Sequence, residues 1–179
     1  MTSQTDFPSL ASLEYIPYLD ETGNLPEYLP GKIGVYAIFD REKVLQFVGY
    51  SRDIYLSLKQ HLVRQPQSCY WFKVQTIDRP SRTILENTQN AWIEENGAVP
   101  LGNAADQAKW NQPIDAKSAI TDEEQASFSL LDELDQTKLL KKVARRVEET
   151  ILAELKSRGV QMEIRFNPKL KESGLLDLK

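Results

Sequence analysis

Ile33-Gly34-Val35-Tyr36-Ala37-Ile38-Phe39, then Asp40-Arg41-Glu42-Lys43, then Val44-Leu45-Gln46-Phe47-Val48 is the stretch that decides the fold. Two short runs rich in β-branched and aromatic residues flank four polar residues, which have the length and polarity of a hairpin loop. The stretch therefore predicts an antiparallel hairpin. Gly49-Tyr50-Ser51 leads into a helical pattern in which Ile54, Leu58 and Leu62 share a face, with Ser51 as N-cap and Pro66 ending the run. Cys69 to Ile77 is aromatic and β-branched, and predicts a third strand. After Asp78-Arg79-Pro80 a second helix is expected from near Ser81 to about Asn96, stopped by Gly97 and Pro100. The expected class is α+β: a small antiparallel three-stranded sheet flanked by helices, with a helical C-terminal extension.

Outward from that centre the chain divides by composition. Residues 1–30 form an irregular lead-in punctuated by Pro8, Pro17, Pro26 and Pro30, and residues 31–103 form the hairpin-and-helix domain. Residues 104–118 are polar, hold Pro113 and show only the isolated Trp110, so they predict a linker. Residues 119–179 predict a helical tail with a short terminal strand. Thr121 and Glu124 make a capping box for a helix reaching about Leu134, and Asp135 or Thr137 then opens a longer one to Ser157. Its apolar stripe is Leu140, Val143, Val147, Ile151 and Leu155, and Gly159 is its stop. Val160, Met162, Ile164 and Phe166 alternate with polar residues, which is a strand signature.

Composition narrows the functional classes. With 179 residues, 41% of them hydrophobic, the chain can bury one core and a small second unit. No run approaches the roughly 18 to 20 apolar residues of a membrane span, and Met1 to Phe7 is neither basic nor greasy, so a soluble, cytoplasmic protein without a membrane partner is expected. One cysteine, Cys69, and one histidine, His61, leave no internal disulfide framework and no thiolate or His-rich metal site, so a metal would have to sit on carboxylates. The net charge of -4 argues against indiscriminate phosphate binding and leaves nucleic acid only a local basic face. Lys138, Lys141, Lys142, Arg145 and Arg146 supply one by helical spacing. That face reads either as a solvated surface, partly neutralised by the acidic residues upstream, or as a binding surface for nucleic acid or an acidic protein partner.

Gly34-Val35-Tyr36, Phe47-Val48-Gly49, Ser51 and a helix reaching His61 follow one another in an order that resembles the GIY-YIG nuclease family. Leu45 to Gly49 with Ser51-Arg52, Trp92-Ile93-Glu94-Glu95 and Pro100-Leu101-Gly102-Asn103 look like the domain that precedes the glutaredoxin in some chloroplast monothiol glutaredoxins, a cyanobacterial or plastid type. The resemblance covers about residues 31–103. It implies hydrolysis of DNA phosphodiesters with Mg or Mn: a tyrosine helps activate water, a helix arginine offsets developing charge, and a glutamate on a later helix holds the ion. Tyr36, Gly49 and Asn103 match family positions, His61 is a further catalytic candidate, and Glu94 or Glu95 would hold the metal. Phe47 stands where the second tyrosine is usual, and Ser57 where the arginine is usual.

Each of these residues also has a plainer reading. Tyr36 and His61 fit as buried structural residues, Glu94 and Glu95 as a solvated helix end, and Asn103 as a turn residue. Two classes therefore stand: a degenerate, noncatalytic module that binds nucleic acid or protein, and a divalent-metal DNA endonuclease. Phe47, Ser57 and the acidic average favour the first.

Overall fold

Both halves of the hairpin are strands. In the computed structural model, which describes residues 7–179, β2 (Ile33–Phe39) and β3 (Leu45–Ser51) pair antiparallel, with Tyr36 opposite Gly49 and Ile38 opposite Phe47. Residues 1–6 of the expected lead-in, and with them most of Met1 to Phe7, lie outside the described residues. The predicted third strand is β4 (Trp71–Ile77), which pairs antiparallel with the other side of β2. The sheet has one strand more than expected. Ile16–Pro17 of the lead-in forms β1 and pairs with β4, so the order is β1-β4-β2-β3 with β3 on an edge. Two residues, the second of them Pro17, leave too short an alternation to read as a strand; the sheet edge imposes it.

Two helices flank this sheet. In α1 (Ile54–Arg64) the cap is Asp53, whose side chain accepts from the Leu56 N–H, and not the expected Ser51. Helix α2 (Arg82–Asn96) begins at the expected cap Ser81 and ends at Gly97 with φ 82°, a left-handed stop that glycine adopts without strain. The two faces of β2 meet different partners. Val35, Ala37 and Phe39 pack into a core with Leu85 and Trp92 of α2, while Tyr36 turns the other way, toward His61 of α1. Within the segment read as a linker, residues 104–118, Gln107–Asn111 forms a short helix, α3, that buries Trp110; a helical turn at Leu101–Asn103 precedes it.

The chain forms two compact units, Met1–Asn111 and Gln112–Lys179. In the second, the capping box at Thr121 and Glu124 forms with both arms, but α4 (Asp122–Phe128) stops short of the expected Leu134. Asp132 then caps α5 (Glu133–Ser157), and its carboxylate accepts from the Asp135 N–H at 2.7 Å. The cap lies about a turn earlier than the expected Asp135, which becomes the residue whose N–H the cap accepts. Val143, Ile151 and Leu155 of the predicted stripe are buried. The expected strand over Val160 to Phe166 does not form: only Phe166 makes a bridge, to Leu178. Alternation supplies a face but no ladder partner. The strands of this unit are the pair Ile114–Asp115 (β5) and Leu175–Leu176 (β6), with the short helix α6 (Pro168–Lys171) before β6.

Candidate functional site

Tyr36 leaves β2 on its α1 face, and its hydroxyl meets His61 Nε2 at 2.7 Å. Both side chains are almost fully enclosed. Burial pushes the Tyr36 phenol well above its ordinary pKa, outweighing a Ser57 hydrogen bond and the Arg64 charge, both of which favour the phenolate. Burial, and next the Arg64 charge, holds His61 down to about 3 against a weaker opposing effect of the Trp110 backbone. At neutral pH the pair is thus an un-ionised phenol on a neutral imidazole, and the imidazole Nδ1 is buried without a well-formed hydrogen bond.

An aromatic lid covers the pair. The Phe47 ring stacks on Trp110 with centroids 5.1 Å apart and planes 2° from parallel, and His61 touches both rings at 4.7 and 5.5 Å. Trp110 is 2% exposed, and its carbonyl accepts from Arg64 Nη1 at 2.8 Å. Two glycines make these approaches possible. A Cβ on Gly49 would stand 2.7 Å from the Tyr36 hydroxyl and 2.6 Å from the Phe47 ring, and one on Gly102 would stand 2.5 Å from the Gln46 carbonyl and 2.8 Å from Trp110 Nε1.

Beside this cluster lies a cavity of about 190 Å³ lined by Tyr36, Gln89, Asn103, Gln107 and Asn111, among others. Asn103 reads the free edge of β3 as a neighbouring strand would: its Oδ1 accepts from the Val48 N–H at 2.8 Å and its Nδ2 donates to the Val48 carbonyl at 2.7 Å. Gln89 Nε2 donates to the same carbonyl at 2.9 Å. Sequence reasoning missed Gln89, Gln107 and Asn111. The only signal for Gln89 is its place one turn before Ile93 on α2, which falls opposite β3 once the sheet forms.

The remaining candidates divide. Ser57 lies within reach of the Tyr36 hydroxyl and gives its own hydroxyl to Ser51 at 2.7 Å. Glu95 accepts from the Leu10 and Ala11 N–H groups, both at 2.8 Å, and Glu94 is exposed; neither lines the cavity beside Tyr36. Among the described residues no group of three or more His, Cys, Asp or Glu side chains gathers to hold a metal ion. A hard divalent cation needs charged oxygen ligands, and the cavity offers neutral amides and a phenol, so these residues do not fit Mg or Mn.

In the second unit the five cations of α5 do not act alike. Lys138, Lys142 and Arg145 are exposed. Lys141 lies 3.4 Å from Glu172, and Arg146 donates to Glu124 at 2.8 Å and to the Ala119 carbonyl at 2.7 Å. The Arg146 hydrogen bond, first among several, holds the Glu124 carboxyl down to about 2.

The chain resembles part of a plant glutaredoxin. Over 93 residues it is 40% identical to a bifunctional chloroplastic monothiol glutaredoxin of Arabidopsis thaliana, a match that spans 48% of this chain and 32% of that protein. The chain thus matches about a third of that relative's length. No protein-family model matches the chain. The similarity corrects the GIY-YIG nuclease and nucleic-acid-binding expectation, because the relative is named for thiol chemistry. It agrees with the expected resemblance to the chloroplast monothiol glutaredoxins, and the relative is named as a chloroplastic protein. No helix among the described residues is long and apolar enough to cross a membrane.

Proposed function

We propose that the unit up to Asn111 is a noncatalytic protein-binding module that works with a thiol-redox protein of the monothiol glutaredoxin kind, in a plastid-type setting. The observation that carries this reading is the closed site: a phenol and a neutral imidazole under the Phe47–Trp110 stack, with amides where a reactive centre would need charge. An un-ionised phenol held by a neutral imidazole packs, and the cavity that Tyr36 lines adds only uncharged groups to it.

The similarity supplies the kind of partner. Thiol chemistry needs an accessible thiolate, and this chain's single cysteine, Cys69, is fully buried, so in this reading the thiol belongs to the partner. Val99 and Leu101 stay exposed on the loop that delivers Asn103, and exposed apolar side chains on a loop together with a cavity of neutral amides suit a protein surface better than a small charged substrate.

Titration of the full chain with the purified Arabidopsis glutaredoxin by calorimetry tests the reading. Saturable 1:1 binding that persists in Cys69→Ala and weakens in Leu101→Asp is the expected outcome. No heat change up to about 100 μM partner, where even a weak specific complex would register, contradicts it.

A further inference from the structure

The cavity beside Tyr36, of about 190 Å³, is lined by four carboxamide side chains and by no charged one. Gln89 comes from α2, Asn103 from the helical turn after Pro100, and Gln107 and Asn111 from α3. From 103 to 111 every fourth residue is Asn or Gln. Four positions make about one helical turn, so Gln107 and Asn111 stand one above the other on a single face of α3, and both reach the same cavity. Tyr36 and Tyr50 supply aromatic wall from the sheet.

Hydrogen bonds within the chain use only part of this set. Asn103 accepts from the Val48 N–H and donates one Nδ2 hydrogen to the Val48 carbonyl, and Gln89 donates one Nε2 hydrogen to that carbonyl. A second hydrogen on each nitrogen and the Gln89 side-chain oxygen remain. The side chains of Gln107 and Asn111 make no hydrogen bond among the described residues. Holding the β3 edge thus accounts for Gln89 and Asn103. It does not account for Gln107 and Asn111, which tie down no other part of the chain.

The lining selects for a neutral polar group. A carboxylate or ammonium entering the cavity loses water and meets no counter-charge, and an apolar group leaves amide donors and acceptors uncovered. A primary carboxamide carries two donors and an acceptor in one plane and can answer amides on several sides. The volume is smaller than that of ligand pockets generally, which run from about 300 Å³ upward, and it suits one side chain better than a whole metabolite. We propose that this cavity receives the carboxamide of a glutamine or asparagine side chain on a protein partner, held by Gln107 and Asn111 and by the unused groups of Gln89 and Asn103. The proposal rests on the protein-binding reading and names the group by which the partner is recognised.

The probe is a glycine–glutamine–glycine peptide, acetylated at one end and closed with an N-methylamide at the other so that its only primary amide is the side chain. NMR signals of the side-chain amides in the full chain are the readout. Saturation by about 10 mM, the weak end of specific binding, with shifts centred on Asn103, Gln107 and Asn111, is expected. The peptide with glutamate in place of glutamine is expected to bind about tenfold or more weaker, because its charge is buried without a partner, and the near-isosteric methionine peptide several-fold weaker. Gln107→Ala combined with Asn111→Ala, both exposed changes, is expected to weaken the glutamine peptide several-fold and to leave the melting curve unchanged. Amides that are merely solvated contribute nothing to binding, so an unchanged affinity in that double variant overturns the proposal, as does equal binding of the glutamine and glutamate peptides or no saturation. Tighter binding of free propionamide than of the peptide overturns the assignment to a partner's side chain. The calorimetric titration keeps the two readings apart. Glutaredoxin binding that is the same in the double variant overturns this inference and leaves the protein-binding reading standing, whereas peptide saturation without glutaredoxin binding removes that partner and supports the carboxamide site.

Discussion

Val48 presents both its N–H and its carbonyl to the open edge of the sheet, and two side chains of different elements answer it. Asn103→Ala removes the acceptor of the N–H and one of the two donors to the carbonyl. Val48 is fully buried, so its N–H is left without a partner, which costs about 1–3 kcal/mol. The carbonyl keeps Gln89 at 2.9 Å and adds little. The single change should therefore cost about 2 kcal/mol. Gln89→Ala leaves the N–H bonded and the carbonyl held by Asn103 at 2.7 Å, so it should cost about 1 kcal/mol or less.

The double change strips the carbonyl as well, and its cost should exceed the sum of the single changes by about 1 kcal/mol. Urea unfolding followed by tryptophan fluorescence reads this selectively, because Trp71, Trp92 and Trp110 all lie in the unit ending at Asn111. A cost below about 0.5 kcal/mol for Asn103→Ala, or strict additivity in the double variant, refutes the edge-strand role.

Two further outcomes follow from the same cluster. Gly102→Ala should destabilise the first unit by about 1–3 kcal/mol and shift Trp110 emission to the red, since the new methyl meets the Gln46 carbonyl and the Trp110 ring; unchanged emission and stability would count against that packing. His61 has a folded pKa of about 3, below its ordinary 6.5, so the unfolded chain binds a proton that the folded chain refuses. Its contribution is present above pH 6.5 and is lost as pH falls from there toward 3, at about 1.4 kcal/mol per unit at most. As the chain has one histidine, the slope between pH 6.5 and 5 should disappear in His61→Gln, and persistence of that slope would assign it to other groups.

Local chemistry explains which features were legible in advance. The hairpin, α2 with its Ser81 cap and Gly97 stop, and the capping box at Thr121 each depend on residues a few positions apart, so spacing alone specifies them. The sequence also put Tyr36, Phe47, Gly49, His61 and Asn103 forward as residues of interest, and the structure brings all five within one neighbourhood.

Their chemistry was decided over longer distances. Trp110 reads as an isolated aromatic in a polar segment, and only the fold stacks it on Phe47, which lies 63 residues away in the chain. Glu95 looks like a solvated helix end until the lead-in crosses it and offers the Leu10 and Ala11 N–H groups. Lys73 carried no signal in the sequence, and the fold encloses it against the Tyr15 ring and the Leu10 carbonyl. Asn103 reads as a turn residue or a catalytic one, and the exposed edge of β3 gives it a third use. Periodicity and capping fix which face of an element is apolar and where it ends. Which groups lose water, and so which keep their charge, depends on what the rest of the chain lays over them, and only the tertiary structure determines that.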